Sequence, residues 1–168
     1  MLNTKFLSKG IAPAVALFAL AAPAAAQEWV FGLGYSDFSR NGAEDSALIS
    51  AEYHHTPFYE NGRLSSAFGA VLSAQTEGDV FVGAGVVATL DLNDKWFLET
   101  SVMPGAFFES AALNDLGSTF EIRSLLGVGR NLNNGQKVSL AILHKSNAST
   151  GNINPGVNSV LLRWHTSF

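Results

Sequence analysis

The chain has 168 residues, a formal net charge of −4, no cysteine, 47% hydrophobic residues and only 14% charged ones. An acidic balance without any basic stripe argues against a nucleic-acid partner, and the lack of cysteine excludes a disulfide framework. After the first 26 residues no stretch approaches the roughly 20 apolar residues that a membrane-spanning helix needs, so the excess hydrophobicity must be housed in another way.

The N-terminus reads as a secretory signal peptide covering residues 1–26. Lys5 and Lys9 form a positive start, Ile11 to Ala22 a short apolar run, and Ala24-Ala25-Ala26 after Pro23 a small-residue cleavage site. Residues 27–168 then form one domain. Its stability must come from packing or from closing a sheet, because it is exported without disulfides.

Eight strands are predicted in chain order, at about 28–37, 47–53, 64–72, 79–90, 96–105, 120–130, 137–146 and 158–168, each from a run of period-two alternation. In the first, Trp29, Phe31, Leu33 and Tyr35 share one face, while Val30, Gly32, Gly34 and Ser36 share the other. The fourth sets Val80, Val82, Val86 and Leu90 against Phe81, Gly83, Gly85 and Thr89. The sixth sets Phe120, Ile122, Leu126 and Val128 against Glu121, Arg123, Gly127 and Gly129. The last sets Val160, Leu162, Trp164 and Phe168 against Ser159, Arg163 and His165.

Charges therefore share a face with glycines and small residues. A soluble sandwich would bury the large apolar face; a membrane barrel turns that face to lipid and fills a narrow lumen with small and polar groups. Strand lengths near ten, an even strand count and aromatics at strand ends (Trp29, Tyr53, Trp96, Trp164, Phe168) favour the barrel. The connections agree. With periplasmic termini, residues 54–63, 91–95 and 131–136 are short polar turns, and the longest loop, 106–119, lies outside the cell. The expected fold is all-β, an eight-stranded antiparallel up-and-down β-barrel spanning a bacterial outer membrane.

One place looks chemically organised. Along one face of the seventh strand run Val138, Leu140, Ile142, His144 and Ser146. Residues two apart on a strand lie roughly 6.5–7 Å apart at Cα on the same side, so imidazole and hydroxyl can meet. A histidine within reach of a serine is the minimum for an activated oxygen nucleophile. If Ile142 pairs with Val160 on the eighth strand, His144 faces Asn158, which can accept a hydrogen bond from the ring. Such a site lies on the outside of the barrel near its extracellular rim. His-x-Ser alone is equally what a polar strand end running into a loop would show.

The stretch 120–168 resembles the C-terminal signature of the outer-membrane lipid A 3-O-deacylases. The residues that carry the resemblance are Arg123-Ser124-Leu125, His144-Lys145-Ser146-Asn147-Ala148, Asn154-Pro155-Gly156 and Leu162-Arg163-Trp164. It implies a carboxylic ester hydrolase that removes a 3-O-linked hydroxyacyl chain from the lipid A of lipopolysaccharide. Ser146 would be the nucleophile, His144 its base, and Asn147 with the backbone of Ala148 the oxyanion donors. The family's orienting acid is a glutamate at the position where this chain has Asn158, and Glu109 or Asp115 is a candidate substitute. No metal or organic cofactor is implied. The partners are lipopolysaccharide as substrate and the surrounding outer-membrane lipid.

Other signals read as structural. Gly83-Ala84-Gly85-Val86-Val87-Ala88 fits a dinucleotide-binding pattern but lies within a strand with no helix after it. His54 and His55 are adjacent and so point to opposite faces. Glu52, Glu99, Glu121, Arg123, Arg163 and His165 share the inward phase and form a paired polar filling. Lys145 and Arg40 are either loop charges or contacts to lipid A phosphates. Two competing functions stand beside the esterase: a non-catalytic structural or adhesive barrel, and a soluble periplasmic lipid-binding barrel with its large apolar faces turned inward.

Overall fold

The computed structural model describes residues 27–39 and 41–168; the segment 1–26 read as a signal peptide, and Arg40, lie outside them. Among the described residues there are nine strands, β1 (Glu28–Phe38), β2 (Ser46–His54), β3 (Tyr59–Asn61), β4 (Leu64–Gln75), β5 (Val80–Asp91), β6 (Trp96–Phe108), β7 (Phe120–Asn131), β8 (Lys137–Ser146) and β9 (Val157–Ser167). All pairings are antiparallel. Neighbours in sequence pair with each other, except that β2 skips β3 to pair with β4, and β1 pairs with β9 to close the wall. Eight strands thus make a barrel with no free edge.

The ninth, β3, was not expected. It folds back on β4 through a turn at Gly62, whose φ is +61°, and the Phe58 ring beside it packs on Phe68 at 4.6 Å. Three exposed residues are too few to show a period, which is why 54–63 reads as a plain turn. Strands β4 and β6 also run further than the pattern suggests, to Gln75 and Phe108. Their last inward residues have partners inside: the Gln75 amide donates to Ser46 Oγ at 3.1 Å, and Phe107 joins an apolar cluster.

Alternation settles which face is which. Leu33 and Leu162, cross-strand partners on β1 and β9, are each 63% exposed, whereas Arg123 and Arg163 are each 1% exposed. In water such a wall would expose far more contiguous apolar surface than the few hundred Å² usual for a monomer. Facing lipid, it is the expected surface. The soluble barrel with apolar faces turned inward is therefore excluded. Aromatics ring both ends, with Trp29 and Trp96 near the short turns and Tyr35, Phe108 and Phe120 near the long loops, all exposed.

The lumen has two storeys. Near the long loops Phe38, Phe81, Met103, Phe107, Leu116 and Val157 form an apolar plug. Below it the Glu52 carboxylate pairs with Arg123 and with Arg163 (3.0 Å), and Arg163 also pairs with Glu99. Lower still, Glu28 forms ion pairs with Lys137 at 3.1 Å and with His165 at 3.2 Å. Ions taken out of water need such partners, so these arginines and glutamates fill the barrel as a set; Glu121, expected among them, is also fully buried, but neither of its carboxylate oxygens has a hydrogen-bond partner among the described residues. Glycine makes the room: at Gly129 the Phe97 ring occupies the space of a Cβ.

Candidate active site

The β8–β9 hairpin pairs Ile142 with Val160 and His144 with Asn158, the register expected from the sequence. His144 and Asn158 are both exposed on the outer wall, and Ser146 is half-buried beside them. His144 Nδ1 lies 2.8 Å from Asn158 Oδ1. An amide oxygen can only accept, so Nδ1 carries the proton and the Nε2 lone pair is left free. Among the described residues no hydrogen bond joins His144 to Ser146.

Gly156 shows which way the free nitrogen turns. Its φ of +71° is a left-handed conformation that glycine adopts without strain. A Cβ placed there would sit 3.0 Å from His144 Cε1 and 3.6 Å from Nε2. Because 144 faces 158, residue 156 is level with 146. Nε2 is thus tilted along the strand, toward the level of Ser146 and the loop.

The loop after β8 is pinned by one side chain. Asn147 is fully buried; its Nδ2 donates to Leu116 O at 2.9 Å and to Ile153 O at 2.7 Å, and its Oδ1 accepts from Ser149 N–H at 2.9 Å. Its backbone N–H donates to Asn154 Oδ1 at 3.1 Å. Asn147 therefore ties residues 147–156 to the loop of residues 109–119, and its amide is taken up in doing so. Ala148 and Ser149 follow with φ of 52° and 63°, a strained pair for residues that carry Cβ. The Ala148 N–H makes no hydrogen bond among the described residues.

A groove of about 730 Å³ runs along the outer wall from this row. At its upper end stand Ser124, His144, Asn158 and Asp37, which face one another in turn across β7, β8, β9 and β1, with Asp45 beyond. Beneath them the lining is Leu126, Ile142, Val160 and Tyr35, and the Thr100 hydroxyl is turned away into a bond with Leu125 O at 2.8 Å. Polar at the top and apolar below, the groove suits a molecule with a polar head and a hydrocarbon tail.

Several sequence readings change. Lys145 is not a surface charge for phosphates: it is 1% exposed, and its Nζ lies over the Phe107 ring at 4.7 Å inside the lumen. Arg40 lies outside the described residues. Glu109 and Asp115 do not line the groove, and Asp115 is occupied in accepting the Gly117 N–H at 2.7 Å. Asp37 and Asp45 are additions that the sequence reading does not single out, and Gly156, there only part of the Asn154-Pro155-Gly156 motif, proves to pack against the His144 ring. Asp37 had a signal, since it continues the outward phase of Trp29, Phe31, Leu33 and Tyr35 as that face's only charge. His54 and His55 do diverge, His54 inward to Glu52 and Glu28, and His55 outward. Glu28, His54 and Glu99 bring ligand atoms within 4.8 Å of one another, but Glu28 already holds Lys137 and His165, and Glu99 holds Arg163. That cluster is an ion-pair network.

Comparison with known proteins decides the family. The sequence matches the lipid A 3-O-deacylase (PagL) family over residues 29–167, essentially the entire barrel. The chain belongs to that family. This lipid A 3-O-deacylase is accordingly an outer-membrane enzyme, as its lipid-facing wall requires. Among solved structures, the outer membrane enzyme PagL superposes with a TM-score of 0.65 at 19% identity, covering 82% of this chain and 97% of that one. A de novo designed transmembrane β-barrel gives 0.56 at 6% identity, covering 86% and 96%. Neisserial surface protein A gives 0.55 at 10% identity, covering 85% and 96%. At these identities the superpositions establish the barrel; the family match carries the activity. No curated protein matches the chain by sequence.

Proposed function

We propose that this deacylase cleaves the 3-O-linked hydroxyacyl ester of lipid A through an outward-facing serine site made of Ser146, His144 and Asn158. The observation that carries the reading is the 2.8 Å bond from His144 Nδ1 to Asn158 Oδ1, which leaves Nε2 as a base tilted toward the level of Ser146. The missing bond between His144 and Ser146 is no obstacle, since such contacts often form only once substrate is in place.

In the first step Nε2 takes the Ser146 proton while Oγ attacks the ester carbonyl carbon. The oxyanion turns to the free Ala148 N–H, held by the loop that Asn147 anchors. Asn147 thus serves by positioning the loop, since its own amide protons are used. Collapse breaks the bond to the glucosamine oxygen, which leaves as the alcohol with the proton from His144. Water, deprotonated by the same nitrogen, then releases the fatty acid from Ser146. Meanwhile the acyl chain lies in the groove below, against Ile142, Val160 and Leu126. The substrate need not leave the leaflet.

Mass spectrometry of lipid A from cells expressing the chain or its Ser146→Ala variant tests the reading. A loss of one 3-hydroxyacyl mass with the native chain only is expected. Unchanged lipid A with folded native barrel present would favour a structural or adhesive barrel; equal loss with both chains would place the nucleophile elsewhere.

A further inference from the structure

Asn158 holds the histidine in the right tautomer, yet it is neutral. When His144 takes a proton the site gains a positive charge, and an amide oxygen steadies that charge less than a carboxylate does. The question is whether a carboxylate stands near.

One does, across the seam that closes the barrel. Asp37 on β1 is the direct partner of Asn158 on β9, and both project outward into the same groove. Directly opposed residues on one face have Cβ atoms about 4.5–5.5 Å apart, within reach of a carboxylate and an amide. Asn158 Oδ1 is taken by His144, and among the described residues neither its Nδ2 protons nor the Asp37 carboxylate has a hydrogen-bond partner, each other included. Donor and acceptor are both unused, and they face each other.

The surroundings leave Asp37 in place. Asp45 lines the same groove, but its Oδ1 accepts the Phe38 N–H at 3.0 Å, which fixes it to the loop. The other titratable groups lining the groove are Tyr35 and His144, and no lysine or arginine lines it among the described residues. Lys145, next to His144 in sequence, points into the lumen.

We infer that Asp37 is the acidic positioning residue of this enzyme, acting on His144 through the Asn158 amide. In the working site Asn158 Nδ2 turns its unused protons to Asp37, while Asn158 Oδ1 accepts from His144 Nδ1 as it already does in this structure. The relay runs carboxylate, amide, imidazole, hydroxyl across three adjacent strands, and it joins the first strand of the chain to the last hairpin. No proton passes along it. The carboxylate polarises the amide, whose oxygen then better supports the imidazolium. This rests on the Ser146–His144 reading above.

The test uses purified barrel in detergent micelles with lipid A as substrate, comparing the native chain with Asp37→Asn, Asn158→Glu, the double variant and Ser146→Ala. Folding of each is checked by its gel mobility before and after heating. Asp37→Asn is expected to lower kcat about tenfold with KM nearly unchanged, and to move the acid limb of the pH–rate profile to lower pH. With Asn158→Glu in place a carboxylate touches the ring directly, so adding Asp37→Asn is expected to have no further effect on kcat. The inference is overturned if folded Asp37→Asn keeps the native kcat and pH profile. It is equally overturned if the loss persists undiminished in the Asn158→Glu background. Should the native chain show no Ser146-dependent release, the reading beneath it falls and takes the relay with it; the Ser146→Ala arm separates that case from failure of the relay alone.

Discussion

Inside the lumen, Ser139 Oγ lies 2.8 Å from His165 Nε2, and His165 Nδ1 lies 3.2 Å from Glu28 Oε2. On the outer wall, His144 has its partner Asn158 at 2.8 Å, but the Ser146 hydroxyl makes no hydrogen bond among the described residues. By hydrogen bonds alone the inner array is the more complete serine–histidine–acid triad. Yet Ser139 and His165 are buried, the Phe97 ring lies edge-on to His165, and Glu28 is also held by Lys137. No ester can reach that serine. The outer array is looser and open to the bilayer, with His144 and Asn158 at the head of an apolar groove. Saturated partners mark a structural site; on the function proposed above, the unused base and unused hydroxyl at the surface are the reactive pair.

The sharpest way to break this comparison is to remove each serine in turn. Ser146→Ala is expected to lower kcat by at least about 10⁴-fold, as loss of a nucleophile does, whereas Ser139→Ala leaves kcat of the folded barrel within about twofold. Lipid A turnover in micelles reads both. Equal losses would mean that the buried array does chemistry. Removing Glu52 attacks the inner region instead. Glu52→Ala leaves Arg123 and Arg163 short of their shared carboxylate and is expected to destabilise the barrel by about 3–5 kcal/mol, read from urea unfolding in micelles.

Smaller effects sharpen the outer half. Asn147→Ala frees the loop of residues 147–156 from Leu116 and Ile153, and kcat should fall about ten- to a hundredfold. Protease cleavage within that loop should rise in parallel. Gly156→Ala forces a Cβ into a left-handed position against the His144 ring and should lower kcat several-fold, with KM less affected. The least effect belongs to Lys145→Met. Because the ammonium faces Phe81 and Phe107 in the lumen, turnover should stay within about twofold and its salt dependence should not change. A marked loss at low salt would return Lys145 to the lipid phosphates.

Period-two alternation carried most of the architecture, because a wall between lipid and a filled lumen must switch chemistry at every residue. Hence phase alone puts Arg123 and Arg163 inside, whereas His144 opposite Asn158 needs in addition the Ile142–Val160 register that the hairpin adopts. What alternation cannot carry is distance across the closing seam. Asp37 and Asn158 sit at opposite ends of the barrel's sequence, and only the β1–β9 register makes them neighbours. The loop was opaque for another reason. The resemblance implies a catalytic amide at Asn147, but its contacts to Leu116 and Ile153 depend on how two loops pack, and no periodicity encodes that. Three-residue β3 fell below the length at which a pattern exists.

The most direct test of where the chemistry sits is covalent capture. The folded barrel, in micelles, is treated with a serine-reactive fluorophosphonate and the modified peptide is identified by mass spectrometry. Labelling should fall on Ser146 and vanish in His144→Ala. A label on Ser139 or Ser124, or none on Ser146 in a preparation that deacylates lipid A, would contradict the assignment of the outer wall as the reactive face.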